Sequence, residues 1–471
     1  MEGPARDVLR QLDEFAAAHG LDPGRVLSAT IYVTDMAAKP AMNRVRQEFF
    51  RPEQLPELSA RYRYRGVNGT EGRVITRFWS LSAAGFAATA VTFGPGRMGF
   101  GLFVPEFRSA FSMSSSAVGF VASLGFLGFF LGLLIAQAQL TRRGPGSPVV
   151  TGLAAATVGM GIVALAPSVP ILAIGVFLAT SSAGLTWTPF NDAIHRKVRD
   201  PDRPSALSMV STGTAVGIAL AGLAALGVVL GGLSWRWSWA FFAAAGAFAL
   251  LGNWVAFRGV DKDRSDGPTR GWRGLMHPAA IPLLTIGFVF GTTTAIYVSF
   301  AADHMVTAGG VPGVPVVATP AIAFVCYGLF GLAGLLAARV ESVLGLPLLL
   351  RLLMLAGALS VALVAIAPDA WVGVVLSAGG QGVHVMMTSA VLAFWSERVF
   401  PSLPSLSFTA ALVAAAVGSV VGPALAGVAS DTVGARAMLL GTAALPALTA
   451  LVLRAHHVWE RPPGTAPREP T

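Results

Sequence analysis

The chain has little charge and almost no cysteine for its length. Of its 471 residues, 12% are charged, whereas soluble domains carry about 25%. A chain with so few charged residues has too little polar surface for water. The single cysteine, Cys326, excludes a disulfide framework and any metal centre built on several thiolates, so we expect it to be a packing residue. The N-terminus also lacks the long apolar core of a signal peptide.

The sequence disfavours several functional classes. The net charge of +9 does not form a basic stripe interleaved with aromatic residues, so we expect no nucleic-acid partner. The sequence contains no phosphate-binding loop of the Walker type, and its seven histidines are scattered. An ATP-driven pump or an enzyme is therefore disfavoured, and we expect no cofactor, no metal and no catalytic residue.

Long apolar runs are abundant instead. A helix needs about 20 apolar residues to cross the hydrocarbon core of a bilayer, and twelve such runs follow residue 77. The sequence thus predicts an all-α membrane protein with twelve transmembrane helices and a short soluble α/β segment before them. The predicted spans are 78–104, 117–140, 149–166, 169–191, 206–230, 237–257, 278–301, 315–338, 346–367, 370–395, 403–426 and 437–453.

The loops between these spans differ in charge. One set carries most of the arginines and lysines, including Arg142, Arg143 and the basic residues of the linker 259–277, whereas the other set has only Arg108, Arg236 and Arg436. Positive residues near span ends remain cytoplasmic. We therefore predict a multi-pass protein of the cytoplasmic membrane with both termini in the cytoplasm.

An internal repeat divides the spans into two halves. Segment 213–222 (GTAVGIALAG) recurs as 418–427 (GSVVGPALAG), so the fifth span matches the eleventh. A weaker match pairs Phe93-Gly94 with Phe290-Gly291. Duplicated halves around a midplane cavity are typical of alternating-access carriers. The predicted organisation is a soluble segment, a six-helix half, a cytoplasmic linker, a second six-helix half and a cytoplasmic tail, at 1–64, 77–258, 259–277, 278–457 and 458–471.

This topology resembles the major facilitator superfamily over nearly all of the membrane portion. Within it, the first-span segment 94–105 (GPGRMGFGLFVP) and the fifth-span segment 211–217 (STGTAVG) are similar to motifs of YbfB/YjiJ-type transporters. The superfamily's loop motif after the second helix survives only as Thr141-Arg142-Arg143-Gly144, without its aspartate. The resemblance implies a secondary transporter, with Arg142 and Arg143 as candidate gating residues.

The N-terminal segment resembles a different family. Segments 8–20, 26–36 and 41–50 are similar to part of a RidA-type (YjgF-like) imine deaminase. The resemblance fades after Pro56, so the late strands that supply that family's substrate-binding arginine have no counterpart here. A fused remnant, a docking element and a gene-model extension remain open as explanations.

Arg97 is the clearest candidate for substrate binding. An ionisable residue inside a span is a functional candidate because burying a charge in the bilayer is costly. Pro95 removes a backbone donor beside it, and glycines surround it at positions 94, 96, 99 and 101. A guanidinium binds carboxylates and phosphates through paired hydrogen bonds, which favours an anionic substrate. A tether between helices is the alternative role for Arg97.

Other polar residues in the spans are further candidates. Gln381 and His384 lie one turn apart on the tenth span, and His384 is also a candidate for carrying a coupling proton. Asn191 and Asp192 end the fourth span and are candidate gating residues. The remaining substrate-binding candidates are Trp187, Thr294 and Tyr297. Each of these side chains has an alternative role in packing between helices.

The predicted function is secondary active transport of a small organic solute, anionic or carboxylate-bearing, by a monomer in the lipid bilayer. The sequence places no carboxylate at the centre of a span, which disfavours cationic substrates. Export of neutral or cationic compounds remains an alternative, and so does a non-transporting membrane sensor with a RidA-like head. The solute, the direction of transport and the coupling ion are left open.

Overall fold

The structure is a computed structural model that describes residues 28–29, 57–58, 70–198, 202–258, 277–400, 404–454 and 457–458. Within these ranges, the side chains of 28–29, 57–58, 70–79, 191, 195–197, 204 and 404–406 are not described. The chain divides into two compact units, Met1–Arg77 and Phe78–Thr471. In the first unit, strand β1 (Ser28–Ala29) pairs in parallel with β2 (Glu57–Leu58). The rest of the predicted RidA-like segment, the linker up to residue 276 and most of the tail lie outside the described residues.

The membrane portion is helical. The first predicted span comprises α1 (Thr70–Val91), a π-helical segment (Thr92–Met98) and α2 (Gly99–Leu102), and the short helix α3 (Val104–Phe111) follows it. The remaining spans of the first half are α4 (Ser115–Arg143), α5 (Gly146–Leu165), α6 (Val169–Lys197), α7 (Arg203–Leu230) and α8 (Trp235–Phe257).

The second half repeats this arrangement. Its first helix is α9 (Ala280–Thr307). The predicted eighth span comprises α10 (Thr319–Gly331), a 3₁₀ segment (Leu332–Leu336) and α11 (Ala337–Leu344). The helices that follow are α12 (Leu346–Ile366), α13 (Trp371–Val399), α14 (Pro404–Val433) and α15 (Ala435–Val452).

The helices suit a lipid environment. Within the described residues, eleven helical segments are long and apolar enough to cross a membrane, and the first predicted span supplies the twelfth helical pass. Large apolar side chains such as Leu165, Phe248 and Leu451 are at least 75% exposed. An exposed apolar surface of this extent would aggregate in water, but it is the normal outer surface of a membrane bundle.

The repeated glycine motifs confirm the pseudo-symmetry. In the first half, a side chain at Gly213 or Gly217 would collide with the backbone of α1, at Phe86 and Ala90 respectively. In the second half, a side chain at Gly418 would collide with the backbone of α9 at Phe288. Small residues allow helix backbones to approach closely in membranes. Each motif therefore packs the fifth helix of its half against the first.

The same motifs also join the halves. A side chain at Gly222 would crowd the α10 backbone at Ala321, and one at Gly427 would crowd the α4 backbone at Ser115. The last glycine of each repeat thus packs against the opposite half. The hydrophobic core runs continuously through both halves as a result.

The helix ends form two faces. We call the face that carries Arg142, Arg258 and Arg398 the basic face, and the face that carries Asp303 and Asp431 the opposite face. Gly144 and Gly345 both have φ of 75° and end α4 and α11 on the basic face, at equivalent loops of the two halves. This backbone conformation is left-handed and favours glycine. The loops therefore repeat along with the helices.

Candidate functional site

The π-helical segment determines where Arg97 lies. Pro95 stands inside this segment and has no backbone N–H to continue an α-helical ladder, while its ring clashes with the preceding turn. Single π turns inside helices are frequent at functional sites. Gly94 lets the segment lie directly against Gly217 of α7, where any side chain would collide with the backbone. The wider turn and the close packing together fix the position of Arg97.

Arg97 points at aromatic rings rather than at an anion. Its guanidinium carbon lies 4.2 Å from the centroid of the Phe129 ring, 5.6 Å from that of Phe93 and 5.8 Å from that of Phe126. The Nε atom is buried and has no hydrogen-bond partner among the described residues. Contacts with aromatic faces stabilise a cation by about 2 kcal/mol or more when water is excluded. They leave the donors of the guanidinium available to a ligand.

A small cavity adjoins Arg97 at the boundary between the halves. Arg97 is the only charged residue among the described residues that line it. Helices of the first half form most of the wall, and α9 closes it from the second half. The lining residues are Arg97, Phe100, Gly101, Ala122, Gly125, Phe126, Val176, Thr180, Val298 and Ser299.

The aromatic surroundings extend toward Trp187. The Phe93 ring packs edge to face against Trp187 at 5.6 Å and against Phe129 at 6.5 Å between ring centroids. Ala416 and Leu412 of α14 pack against the same cluster from the second half. Trp187, a predicted substrate-binding residue, is half-buried and packs against Phe93, whose ring also faces Arg97. Apart from the guanidinium, the surroundings of Arg97 are thus mainly aromatic and apolar.

Tyr327 lies in the second half, on a helix that contacts the span of Arg97. It lies on α10, which contacts α2, and it is 2% exposed. Its hydroxyl is buried and has no hydrogen-bond partner among the described residues. Our sequence analysis missed this residue, although only two of the five tyrosines fall in predicted spans.

Phe126 and Phe129 were also missed by the sequence analysis. They lie one helical turn apart on α4, a spacing that places both rings on one face. That spacing was visible in the sequence, but it does not show which neighbour the face meets. Only the rotation of α4 against the π-helical segment brings both rings to Arg97.

Tyr297 and Gln381 belong to a polar network inside the second half. The Tyr297 hydroxyl lies 3.1 Å from Ser377 Oγ, and Ser377 Oγ donates to the Ser360 carbonyl at 2.7 Å. Ser360 Oγ lies 3.0 Å from Gln381 Oε1 and also donates to the Ser377 carbonyl at 2.7 Å. The network joins α9, α12 and α13, and both candidate residues are at least 97% buried.

His384 is packed beneath α12. It is completely buried, and its Nδ1 lies 2.7 Å from the Leu353 carbonyl oxygen. A side chain at Gly357 would collide with the imidazole ring, so this glycine makes room for it. The Phe290 ring meets the imidazole edge to face at 5.6 Å. The Nε2 atom has no hydrogen-bond partner among the described residues.

The remaining predicted site residues are more dispersed. Thr294 is 3% exposed on α9, and its hydroxyl has no partner among the described residues. Arg142 and Arg143 are exposed in the last turn of α4, and Asp192 is half-buried near the end of α6. The Asn191 side chain lies outside the described residues. The gating candidates with described side chains, Arg142, Arg143 and Asp192, are not among the residues that line the cavity.

Residues 86–402 match the family model described as Major Facilitator Superfamily. The chain belongs to this superfamily. Among solved structures, this superfamily member is similar to a peptide transporter, POT, in complex with sulfate. The TM-score is 0.65 at 14% identity, and the match covers 80% of this chain and 93% of that one. The likeness supports the fold.

Two other solved transporters give similar agreement. The nucleoside transporter NupG, as its D323A mutant, matches with a TM-score of 0.64 at 12% identity over 80% of this chain and 98% of that one. A bacterial homologue of the human lysosomal transporter Spinster, inward-facing and occupied, matches with a TM-score of 0.62 at 17% identity. The latter match covers 84% of this chain and 99% of that one.

Curated relatives match over shorter stretches. Monocarboxylate transporter 13 of Rattus norvegicus is 31% identical over 139 residues, which is 29% of this chain and 32% of that protein. The Bos taurus protein of the same name is 31% identical over 183 residues, or 39% of this chain and 37% of that protein. The chain thus aligns with about a third of the length of these relatives. With its superfamily and apolar helices, the chain is a multi-pass membrane protein of a transporter family.

Proposed function

We propose that this protein is a secondary active carrier of a small organic monoanion, bound through its carboxylate. The observation that carries the proposal is Arg97, the only charge on the described wall of the cavity and one without an anionic partner among the described residues. A single buried cation is neutralised by a single negative charge. A solute with one carboxylate therefore completes the site.

The rest of the wall indicates the kind of organic body. Phe93, Phe126 and Phe129 surround the guanidinium, and Phe100 also lines the cavity. These rings favour an apolar or aromatic group next to the carboxylate. The name of the monocarboxylate transporters that are similar to this chain refers to the same class of solute. The similarity covers only about a third of their length.

The cationic and neutral alternatives receive less support. An organic cation in a water-excluded cavity requires a compensating negative charge. The described cavity wall contains no carboxylate, and Arg97 would repel a cation. A neutral solute would leave the Arg97 guanidinium uncompensated. A sensor with a RidA-like head depends on residues 1–64, which lie almost entirely outside the described residues.

We further propose that the protein belongs to the YbfB/YjiJ-like branch, that it lies in the cytoplasmic membrane and that it is a monomer. The basic face would lie in the cytoplasm because arginines near span ends are retained there. The coupling ion would be a proton, with His384 as the candidate carrier because its buried Nε2 has no partner among the described residues and an imidazole nitrogen can accept a proton. Deleting residues 1–64 is expected to leave insertion and transport intact.

A thermal-shift experiment tests the proposal directly. Benzoate and benzamide share a ring, but only benzoate carries a negative charge. A ligand at 100 times its Kd stabilises the folded state by about 2.7 kcal/mol. We expect benzoate to raise the Tm of the purified protein, benzamide to leave it unchanged, and the benzoate effect to vanish in Arg97→Gln.

Transport is measured in parallel. Proteoliposomes loaded with unlabelled benzoate should accumulate labelled benzoate by counterflow, and Arg97→Gln should abolish this uptake. Arg97→Lys retains the charge but loses the planar pair of donors, so it should bind benzoate more weakly without losing it entirely. Stabilisation by cationic dyes alone, or benzoate binding that is unaffected in Arg97→Gln, would overturn the proposed substrate class.

A further inference from the structure

Tyr327 holds an unsatisfied polar group in the middle of the bundle. Its side chain is 2% exposed, and the hydroxyl has no hydrogen-bond partner among the described residues. Leaving a buried donor unpaired costs about 1–3 kcal/mol. Buried polar groups in native proteins are nearly always paired, so an exception requires an explanation. A ligand that accepts a hydrogen bond from this hydroxyl would provide one.

The Tyr327 ring is held firmly in place. It stacks with Phe324 at 6.3 Å and meets Tyr297 at 6.4 Å between ring centroids. A side chain at Gly382 of α13 would collide with the Tyr327 carbonyl, and one at Gly328 would collide with the α7 backbone at Ala219. The backbone at Tyr327 is therefore packed closely on two sides. The hydroxyl is held in a fixed place before any ligand binds, which reduces the entropic cost of binding.

Tyr327 lies in the other half, on a helix that contacts the span of Arg97. Helix α10 contacts α2, the helical turn directly after the π-helical segment that contains Arg97. Arg97 also lacks a hydrogen-bond partner for Nε among the described residues. Two buried donors without partners among the described residues, one from each half, thus lie on helical segments of neighbouring spans.

The second buried tyrosine provides a contrast. Tyr297 is 3% exposed, yet its hydroxyl lies 3.1 Å from Ser377 Oγ, within the polar network of the second half. Burial alone therefore does not leave a tyrosine hydroxyl without a partner in this protein. The Tyr327 hydroxyl, unlike that of Tyr297, therefore keeps its hydrogen bond open.

We propose that Tyr327 donates a hydrogen bond to the same carboxylate that Arg97 binds, so that one ligand bridges the two halves. This inference rests on the proposed function. Arg97 would contact one carboxylate oxygen, and the Tyr327 hydroxyl would contact the other. Hydrogen bonds to charged groups are about twice as strong as those between neutral groups. Tyr327 thereby selects carboxylates over anions that offer a single acceptor, and it couples binding to the approach of the halves.

Tyr327→Phe tests this inference because it removes the hydroxyl and keeps the ring. Loss of a hydrogen bond to a charged group is expected to raise the Kd for benzoate about tenfold or more. Without benzoate, the variant should be at least as stable as the wild-type protein, since it no longer buries an unpaired hydroxyl. A merely structural tyrosine would show the reverse, with lower Tm and unchanged Kd.

Ser238→Ala is the matched control. Ser238 on α8 is fully buried, and its hydroxyl also lacks a partner among the described residues. Unlike Tyr327, it belongs to the same half as Arg97, so it does not bridge the halves. Its removal should leave the Kd for benzoate unchanged. The Kd is measured by isothermal titration of the full-length protein in detergent.

The outcomes separate this inference from the proposed function. If the wild-type protein does not bind benzoate or another monocarboxylate, the proposed function fails and the inference fails with it. If the wild-type protein binds benzoate and Arg97→Gln does not, an unchanged Kd in Tyr327→Phe overturns the inference alone. An equal loss of affinity in Ser238→Ala would also overturn it, because the effect would not be specific to Tyr327.

Discussion

Arg108 and Asp303 form an ion pair that joins the two halves on the opposite face. Arg108 lies on α3 and Asp303 near the end of α9, 195 residues apart in the sequence. Arg108 Nε also donates to the Met113 carbonyl at 3.1 Å, which holds the guanidinium in place. The side chains are 31% and 13% exposed, so water screens the pair only in part. The pair therefore favours the state in which this face is closed.

Asp303→Asn should loosen the opposite face. A partly exposed ion pair stabilises by about 1 kcal/mol, so its loss should shift the population of the closed state roughly fivefold. The readout is the labelling rate of Ser299→Cys in a Cys326→Ser background by a thiol reagent that reaches only this face. Ser299 lines the cavity, so faster labelling reports opening.

Glu341→Gln is the control for that experiment. Glu341 pairs with Arg398 at 2.7 Å, but both residues belong to the second half and lie on the basic face. Its loss should not change the labelling rate. Equal acceleration by both variants would contradict a gating role of the Arg108–Asp303 pair.

Asp431 makes a second connection on the same face. Its carboxylate accepts hydrogen bonds from the backbone N–H groups of Ser115 at 3.0 Å and Ser116 at 2.8 Å, at the beginning of α4. A negative charge is stabilised at a helix N-terminus by the helix dipole. Asp431→Asn removes that charge and should also accelerate labelling of Ser299→Cys, about threefold to tenfold.

Ser114→Ala tests whether this effect depends on joining the halves. Ser114 Oγ accepts from the Ala117 N–H at 3.1 Å and so caps the same helix within its own half. Its loss should lower the Tm of the protein without accelerating labelling. Faster labelling in Ser114→Ala would mean that any weakening of α4 opens the face.

Pro95→Ala should displace Arg97. Alanine restores a backbone N–H and favours a regular α-helix in place of the π-helical segment. The change in helical register would rotate Arg97 away from the cavity, so we expect at least a tenfold loss of benzoate affinity with little loss of Tm. Pro446→Ala in α15, where the helix continues without a π turn, should leave the affinity unchanged.

His384→Gln tests the proposed proton carrier. Glutamine can still donate to the Leu353 carbonyl, but it cannot take up a proton at neutral pH. If His384 carries the coupling proton, uptake driven by a pH gradient should be lost while benzoate counterflow persists. An unchanged pH dependence of uptake would leave His384 as a packing residue.

Glu106→Gln should change how stability depends on pH. Glu106 lies on α3, beyond the predicted end of the first span, and burial raises the pKa of its carboxyl to about 7. In the unfolded chain the carboxyl has a pKa of about 4.3, so it ionises at lower pH than in the folded protein. Stability therefore falls as the pH rises through the window between these values and stays low above it.

A glutamine at position 106 does not ionise, so the variant should not lose stability as the pH rises. We expect Glu106→Gln to match the wild-type Tm near pH 4 and to exceed it near pH 8. The gain in the free energy of unfolding at pH 8 should be on the order of 1 kcal/mol, because the side chain is only half-buried. Thermal unfolding in detergent at both pH values gives the comparison. A constant difference between the two proteins across this range would contradict the assignment to Glu106.

The sequence by itself determined the number and order of the membrane helices. Twelve apolar runs have no stable alternative to helices in a bilayer, because every backbone polar group must be paired within the protein. The repeat at Gly213 and Gly418 also predicted two halves, since close helix packing requires glycine at the same places in each. Arg97 was identified as a candidate from its position alone. Burying a charge within an apolar run costs free energy, so such residues are rare in membrane spans.

Only the tertiary structure decided which side chains meet. The rings at Phe126 and Phe129, the Tyr327 hydroxyl and the pairing of Arg108 with Asp303 depend on how each helix is rotated and how the halves approach. Apolar periodicity is weak in a membrane helix, because lipid and protein neighbours are equally apolar. The partners across the halves, from 195 to 316 residues apart, are therefore set by packing between helices rather than by any local pattern.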